Sequence, residues 1–118
     1  MNILMALSQL EITGAEVYAT TIADELIERG NKVYIVSDTL TTPTKAEYIK
    51  LEFNKRSLLK RIEHIKFLYK LIKEKDIQIV HAHSRASSWS CQVACKLAGI
   101  PLITTTHGRQ PIHFSRKL

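Results

Sequence analysis

The stretch NILMALSQLEITGAEVYATTIADELIERG, from Asn2 to Gly30, decides the fold. Its opening run Ile3-Leu4-Met5-Ala6-Leu7 is short and continuously apolar, the pattern of a strand buried on both faces. Ala15, Tyr18, Ile22 and Leu26 then recur at helical spacing, and Gly30 after Arg29 stops that helix. At the junction stands Ile12-Thr13-Gly14-Ala15-Glu16. Thr13 with Glu16 three residues on makes a capping box, which needs no ligand. Gly14 is not explained that way, because glycine early in a helix costs about 1 kcal/mol against alanine. A phosphate approaching the backbone at the helix start would account for it. The fingerprint G-x-G-x-x-G is absent, so dinucleotide binding finds no support.

Working outward, Val33-Tyr34-Ile35-Val36 within Lys32 to Asp38 is a second strand, and Thr39 to Lys45, threonine-rich with Pro43, is a loop. Ala46 to Phe53 has a weak pattern and is assigned as helix. Ser57 to Lys75 is strongly helical, with Leu58, Ile62, Ile65, Tyr69 and Ile72 on one face. Ile77 to His83 is a strand, and Ala86 to Ala98 a helix closed by Gly99-Ile100-Pro101. Leu102 to Thr106 is the last strand, and Arg109 to Leu118 reads as a loop that stops before its next element. Strands alternating with helices predict an α/β fold, a Rossmann-like parallel sheet of about four strands. The 118 residues make one domain, 1–118, expected to be incomplete at its C-terminal end.

Composition narrows the function classes. The apolar content of 45% and charged content of 24% are those of a globular domain. No run approaches the length of a membrane span, and the N-terminus lacks the basic leader and cleavage site of a signal peptide. The two cysteines, Cys91 and Cys95, lie one helical turn apart and suit small core positions rather than a disulfide framework. A reducing, cytoplasmic setting follows as the expectation.

Ligands of open α/β sheets sit outside the carboxyl ends of the strands. Gly14, His83 and His107 all fall there. His81 and His83 share one face of their strand, with His81 read as the deeper core residue and His83 as the one at the mouth. His107 ends the last strand beside Gly108, where the chain can turn sharply or a substrate approach. A zinc site from His81, His83 and His107 is conceivable, although only Asp38 supplies a carboxylate at a strand end.

These residues resemble the N-terminal domain of family-4 glycosyltransferases of the GT-B fold. The features are the apolar opening strand, the glycine-alanine-glutamate loop, Val80-His81-Ala82-His83-Ser84-Arg85, and Gly99-Ile100-Pro101-Leu102-Ile103-Thr104-Thr105-Thr106-His107-Gly108. His81 to Gly108 looks closest to members that build lipopolysaccharide or other envelope polysaccharides. One departure is Thr13, which stands where the family usually has the first of two glycines. The resemblance implies transfer of a sugar from a nucleotide-sugar donor, a substrate rather than a cofactor, with retention of configuration and without a bound metal. It implies that Thr13, Gly14 and Gly108 lie near the donor diphosphate and that His107 acts at the reaction centre. His83 and Arg85 would then meet the lipid or polysaccharide acceptor. It also implies a second domain, in the same or a separate chain, that carries most nucleotide contacts and a pair of glutamates; without it the chain would be inert.

Charge marks a second feature. Lys55 to Lys75 holds eight basic and two acidic residues, which is the whole net surplus of +6. Lys66, Lys70 and Lys73 follow one helical face, suited to an anionic membrane surface such as the inner face of the plasma membrane, or simply to solvent. No nucleic-acid motif appears, and Phe67 and Tyr69 form no stacking platform. A noncatalytic remnant that binds membranes and a metal-dependent hydrolase are the alternative readings.

Overall fold

The computed structural model describes residues 1–7, 14–52, 58–83 and 85–104. In chain order the elements are β1 (Asn2–Ala6), α1 (Gly14–Glu28), β2 (Lys32–Ser37), β3 (Glu47–Lys50), α2 (Leu58–Glu74), β4 (Ile79–Ala82), α3 (Arg85–Ala98) and β5 (Leu102–Thr104). All strand pairs are parallel, and the sheet order is β3-β2-β1-β4-β5.

Handedness then dictates the layers. The step from β1 to β2 runs one way across the sheet, and the steps from β3 to β4 and from β4 to β5 run the other way. Crossovers of one hand therefore put α1 on one face and α2 with α3 on the other. The two cores follow that division. Ile3, Met5, Leu7, Val33 and Ile35 pack with Ala19 and Ala23 of α1. Leu4, Ala6, Val36, Val80 and Ala82 pack with Leu68, Leu71 and Ile72 of α2 and Cys91, Ala94 and Cys95 of α3. Odd and even strand positions thus face different helices, as a period of two requires. Because α1 alone covers its face, Ile103 of β5 is left 47% exposed there.

The helix ends carry their own stops. Gly30, at φ +94°, closes α1 while the Asn31 N–H donates to the Leu26 carbonyl at 3.0 Å and the Gly30 N–H to Ile27 at 3.0 Å. Gly99, at φ +75°, does the same for α3.

Three sequence expectations change. The sheet has five strands, not four, because Glu47–Lys50 is an edge strand on β2 rather than helix. Its pattern is too short to announce itself, and pairing with β2 overrides propensity. On α2, the buried arc is His64, Leu68, Leu71 and Ile72, whereas Ile62 and Tyr69 are exposed. Apolar residues surround this helix, so its period alone did not select the packed side. Finally, the histidine depths invert: His83 is buried and His81 only half-buried.

Candidate functional site

The sheet reverses its direction of growth between β1 and β4, since the chain leaves β1 toward β2 and leaves β4 toward β5. Such a switch point opens a gap at the carboxyl ends of the strands, where α/β sheets hold ligands. The two strands are locked there: Ala6 pairs with Ala82, and the His83 N–H donates to the Ala6 carbonyl at 2.8 Å. Helices return antiparallel to the strands, so α1 begins at this rim with Gly14 and α3 with Arg85. Each start supplies unsatisfied N–H donors and about half a positive charge.

Rings crowd the gap. The His83 imidazole lies 3.9 Å, centroid to centroid, from that of His81. Tyr18, in the second turn of α1, meets His83 edge-on at 6.0 Å. His83, although nearer the rim, is the more buried of the pair.

Sequence reasoning missed the neighbouring wall. Glu16 is fully buried in the first turn of α1. Its Oε1 accepts hydrogen bonds from the Thr42 N–H at 3.0 Å, from Thr41 Oγ1 at 3.1 Å and from the Thr42 hydroxyl. One helical face further on, Asp24 Oδ1 accepts from Thr44 Oγ1 at 2.6 Å and the Lys45 N–H at 2.8 Å. Two carboxylates thus strap the 39–45 loop to α1, a role that the capping-box reading of Glu16 left out. The threonine run of that loop was the available signal. Tyr48 adds to this side, its hydroxyl donating to the carbonyls of Ser37 and Asp38 at 3.0 and 3.3 Å. Burial first, then the negative charges of Asp38 and Glu16, raises the Tyr48 pKa and keeps the phenol a donor.

Of the residues singled out in the sequence, the backbone brings Gly14, His83 and Arg85 to one rim. Thr13, His107 and Gly108 lie outside the described residues. β5 ends at Thr104 opposite Ala82, so the chain leaves it at that same rim. Lys66, Lys70 and Lys73 lie on the solvent side of α2. Among the described residues, no three His, Cys, Asp or Glu side chains are grouped to hold a metal ion. Cys91 and Cys95 are buried, and burial holds the Cys95 thiol up at about 11 and pushes that of Cys91 higher still.

A parallel sheet with two helix starts flanking its switch point defines a Rossmann-like α/β domain. The chain matches Glycosyltransferase Family 4 over residues 12–118, and it belongs to that family. A curated relative, UDP-Gal:alpha-D-GlcNAc-diphosphoundecaprenol alpha-1,3-galactosyltransferase of Escherichia coli, is 32% identical over 74 residues, 62% of this chain and 19% of that protein. A glycosyltransferase from Rickettsia africae superposes with TM-score 0.79 at 27% identity, over 98% of this chain and 32% of its own. The lipopolysaccharide outer core galactosyltransferase WaaB (TM-score 0.68, 16% identity, 90% of this chain and 32% of its own) shares the fold. So does MurG of Acinetobacter baumannii (0.69, 15%, 90% and 35%). The chain therefore spans about a third of these solved structures and a fifth of the curated relative, and it corresponds to part of the GT-B architecture.

Proposed function

We propose that this chain is the N-terminal, acceptor-side part of a retaining glycosyltransferase that moves a hexosyl unit from a nucleotide-sugar to an envelope lipid or polysaccharide acceptor. The observation carrying this reading is the rim at the β1–β4 switch point, where α1 and α3 both begin beside His83. As the glycosidic bond breaks, the leaving diphosphate gains negative charge. Preorganised N–H donors at a helix start stabilise that charge without rearranging. Gly14 lets the phosphate approach the α1 backbone, with Thr13 and Gly108 beside it. His107 donates a proton or hydrogen bond at the reaction centre, as imidazole does near neutral pH. His83 and Arg85 meet the acceptor. The remaining nucleotide contacts come from a C-terminal domain, in the same or a separate chain.

The lipid side of the reading rests on α2. Its outward face combines Lys66, Lys70 and Lys73 with Leu59, 73% exposed, and the exposed Ile62 and Tyr69. Basic side chains beside exposed apolar ones suit the anionic cytoplasmic leaflet, which makes the protein peripheral there. No helix among the described residues is long and apolar enough to cross a membrane.

The test is sugar transfer by the chain expressed within its natural reading frame, with UDP-galactose as donor and an undecaprenyl-diphosphate-linked N-acetylglucosamine as acceptor, the substrates of the curated relative. UDP-glucose and UDP-N-acetylglucosamine serve as alternative donors. Transfer that falls at least ~100-fold in His107→Ala supports the reading. Absence of transfer from every donor, or full turnover in His107→Ala, refutes it.

A further inference from the structure

On one side the sheet ends at β3, whose outer edge no described strand covers. The Leu51 N–H donates to the Ser37 carbonyl at 3.0 Å, so residue 51 turns its N–H toward β2. Backbone polar groups alternate in direction along a strand, so Glu47 and Ile49 bond to β2 as well. The N–H and C=O groups of Tyr48 and Lys50 therefore point outward. An edge with such groups can receive a further strand. Glu47 and Lys50 balance along it, while the positive surplus of the chain lies in residues 55–75. Two copies can meet there without opposing net charge.

The backbone and the side chains together select a register. A second copy running antiparallel about a two-fold axis presents the same groups in return, as an isologous contact requires. Directly opposed residues exchange hydrogen bonds only where both turn their backbone groups outward, so Tyr48 and Lys50 must face Tyr48 or Lys50. Three registers satisfy that. Centred on Lys50, two ammonium groups stand directly opposite each other, which repels. Centred on Tyr48, Lys50 faces Ala46, whose N–H already donates to Thr44 Oγ1 at 3.2 Å. Centred on Ile49, Tyr48 of each copy exchanges both its backbone bonds with Lys50 of the other, and nothing is opposed to a like charge.

That last register also matches the side chains. The Tyr48 ring is exposed, and its hydroxyl is tied to the Ser37 and Asp38 carbonyls, which fixes the ring. Lys50 is exposed too, so each opposed pair sets an ammonium beside an aromatic face. On the other face the two Ile49 side chains meet at the axis. Ile49 packs half-buried against the core beneath α2, so this contact carries that core from one copy to the next. We propose that β3 is a homodimer edge, where two copies pair antiparallel about Ile49 and join their five-stranded sheets into one. The inference is independent of the transfer reading, because β3 lies two strands away from β1 and its switch point.

The experiment is sedimentation velocity of the 118-residue chain from about 10 μM to about 1 mM, with amide shifts followed over the same range. A contact only one short strand wide belongs to the small end of interfaces, so the expected dissociation constant is about 0.1 mM. Dimer should form reversibly, and the amides of residues 47–51 should move as it does. Lys50→Pro removes an outward N–H while leaving the bonds to β2 in place, and it should weaken the dimer about 10-fold. Should that variant fold poorly, Lys50→Glu keeps the N–H but sets a carboxylate against the Tyr48 ring, and it should weaken the dimer about 3-fold or more. The inference is overturned if the chain stays monomeric at about 1 mM, or if both variants dimerise as the parent does. Concentration-dependent shifts that fall on α2 or β5 rather than β3 would overturn it as well.

Discussion

Replacing Glu16 with alanine tests how the rim is built. The carboxylate is fully buried and accepts three hydrogen bonds from Thr41 and Thr42. Bonds to a charged acceptor contribute roughly 1.5–3 kcal/mol each, but the loss is not their sum. Thr41 is exposed and Thr42 half-buried, so their hydroxyls regain water once the carboxylate is gone. What remains is the Thr42 N–H left without its acceptor, about 1–2 kcal/mol, and roughly 0.5 kcal/mol of favourable charge at a helix start. With the small void added, Glu16→Ala should destabilise the fold by about 2–3 kcal/mol, which for a chain of this length lowers Tm by roughly 8–12 °C. Glu16→Gln keeps an oxygen for the Thr42 N–H and should cost only about 1 kcal/mol. Urea and thermal unfolding measure both, and amide shifts should place the Glu16→Ala disturbance in residues 39–45. Equal losses for the two variants, or a loss below about 0.5 kcal/mol for alanine, would refute the strap as described.

Three further outcomes follow from the same structure. Lys66→Glu, Lys70→Glu and Lys73→Glu together should abolish flotation with anionic liposomes, since each lysine contributes about 1 kcal/mol near such a surface; unchanged flotation removes α2 as the docking face. His64 is held below its ordinary pKa by burial, so the unfolded chain takes up its proton first as pH falls. That part of the stability is fully present above about pH 6.5 and declines below it, a slope that urea midpoints should show and that His64→Gln should flatten. Cys91 and Cys95 are buried with raised thiol pKa values, so a thiol reagent at neutral pH should label neither in the native chain and both in urea; rapid native labelling would contradict the packing of α3.

Much of the architecture was legible because β1, β2 and β4 are apolar runs and α1 and α3 end on glycines. Their alternation alone implies a parallel sheet, and the strand ends point to the rim. What escaped was tertiary in origin. Glu47–Lys50 is a strand only because β2 offers it a partner, and four residues carry too little pattern to show that beforehand. On α2, Leu59, Ile62, Phe67 and Tyr69 are exposed while a histidine takes an inward position, so apolar count and burial part company. His81 and His83 had the right parity, yet their depth depended on packing from other elements, which a strand's own pattern does not carry. Glu16 looked local because a capping box needs only its own helix, whereas its observed partners lie 25 and 26 residues away. Thr13, His107 and Gly108 lie outside the described residues, so their roles stand on resemblance.

The two helix starts at the switch point have a consequence for how the rim responds to acidity. Peptide dipoles carry no exchangeable charge state, so the attraction they exert on an anion is constant wherever the fold survives. For an anion of constant charge, any acid-dependence in capture would therefore come from ionisable side chains such as the imidazoles and the Glu16 carboxylate. A flat profile would assign the capture to groups of fixed charge, the helix-start main chain and arginine.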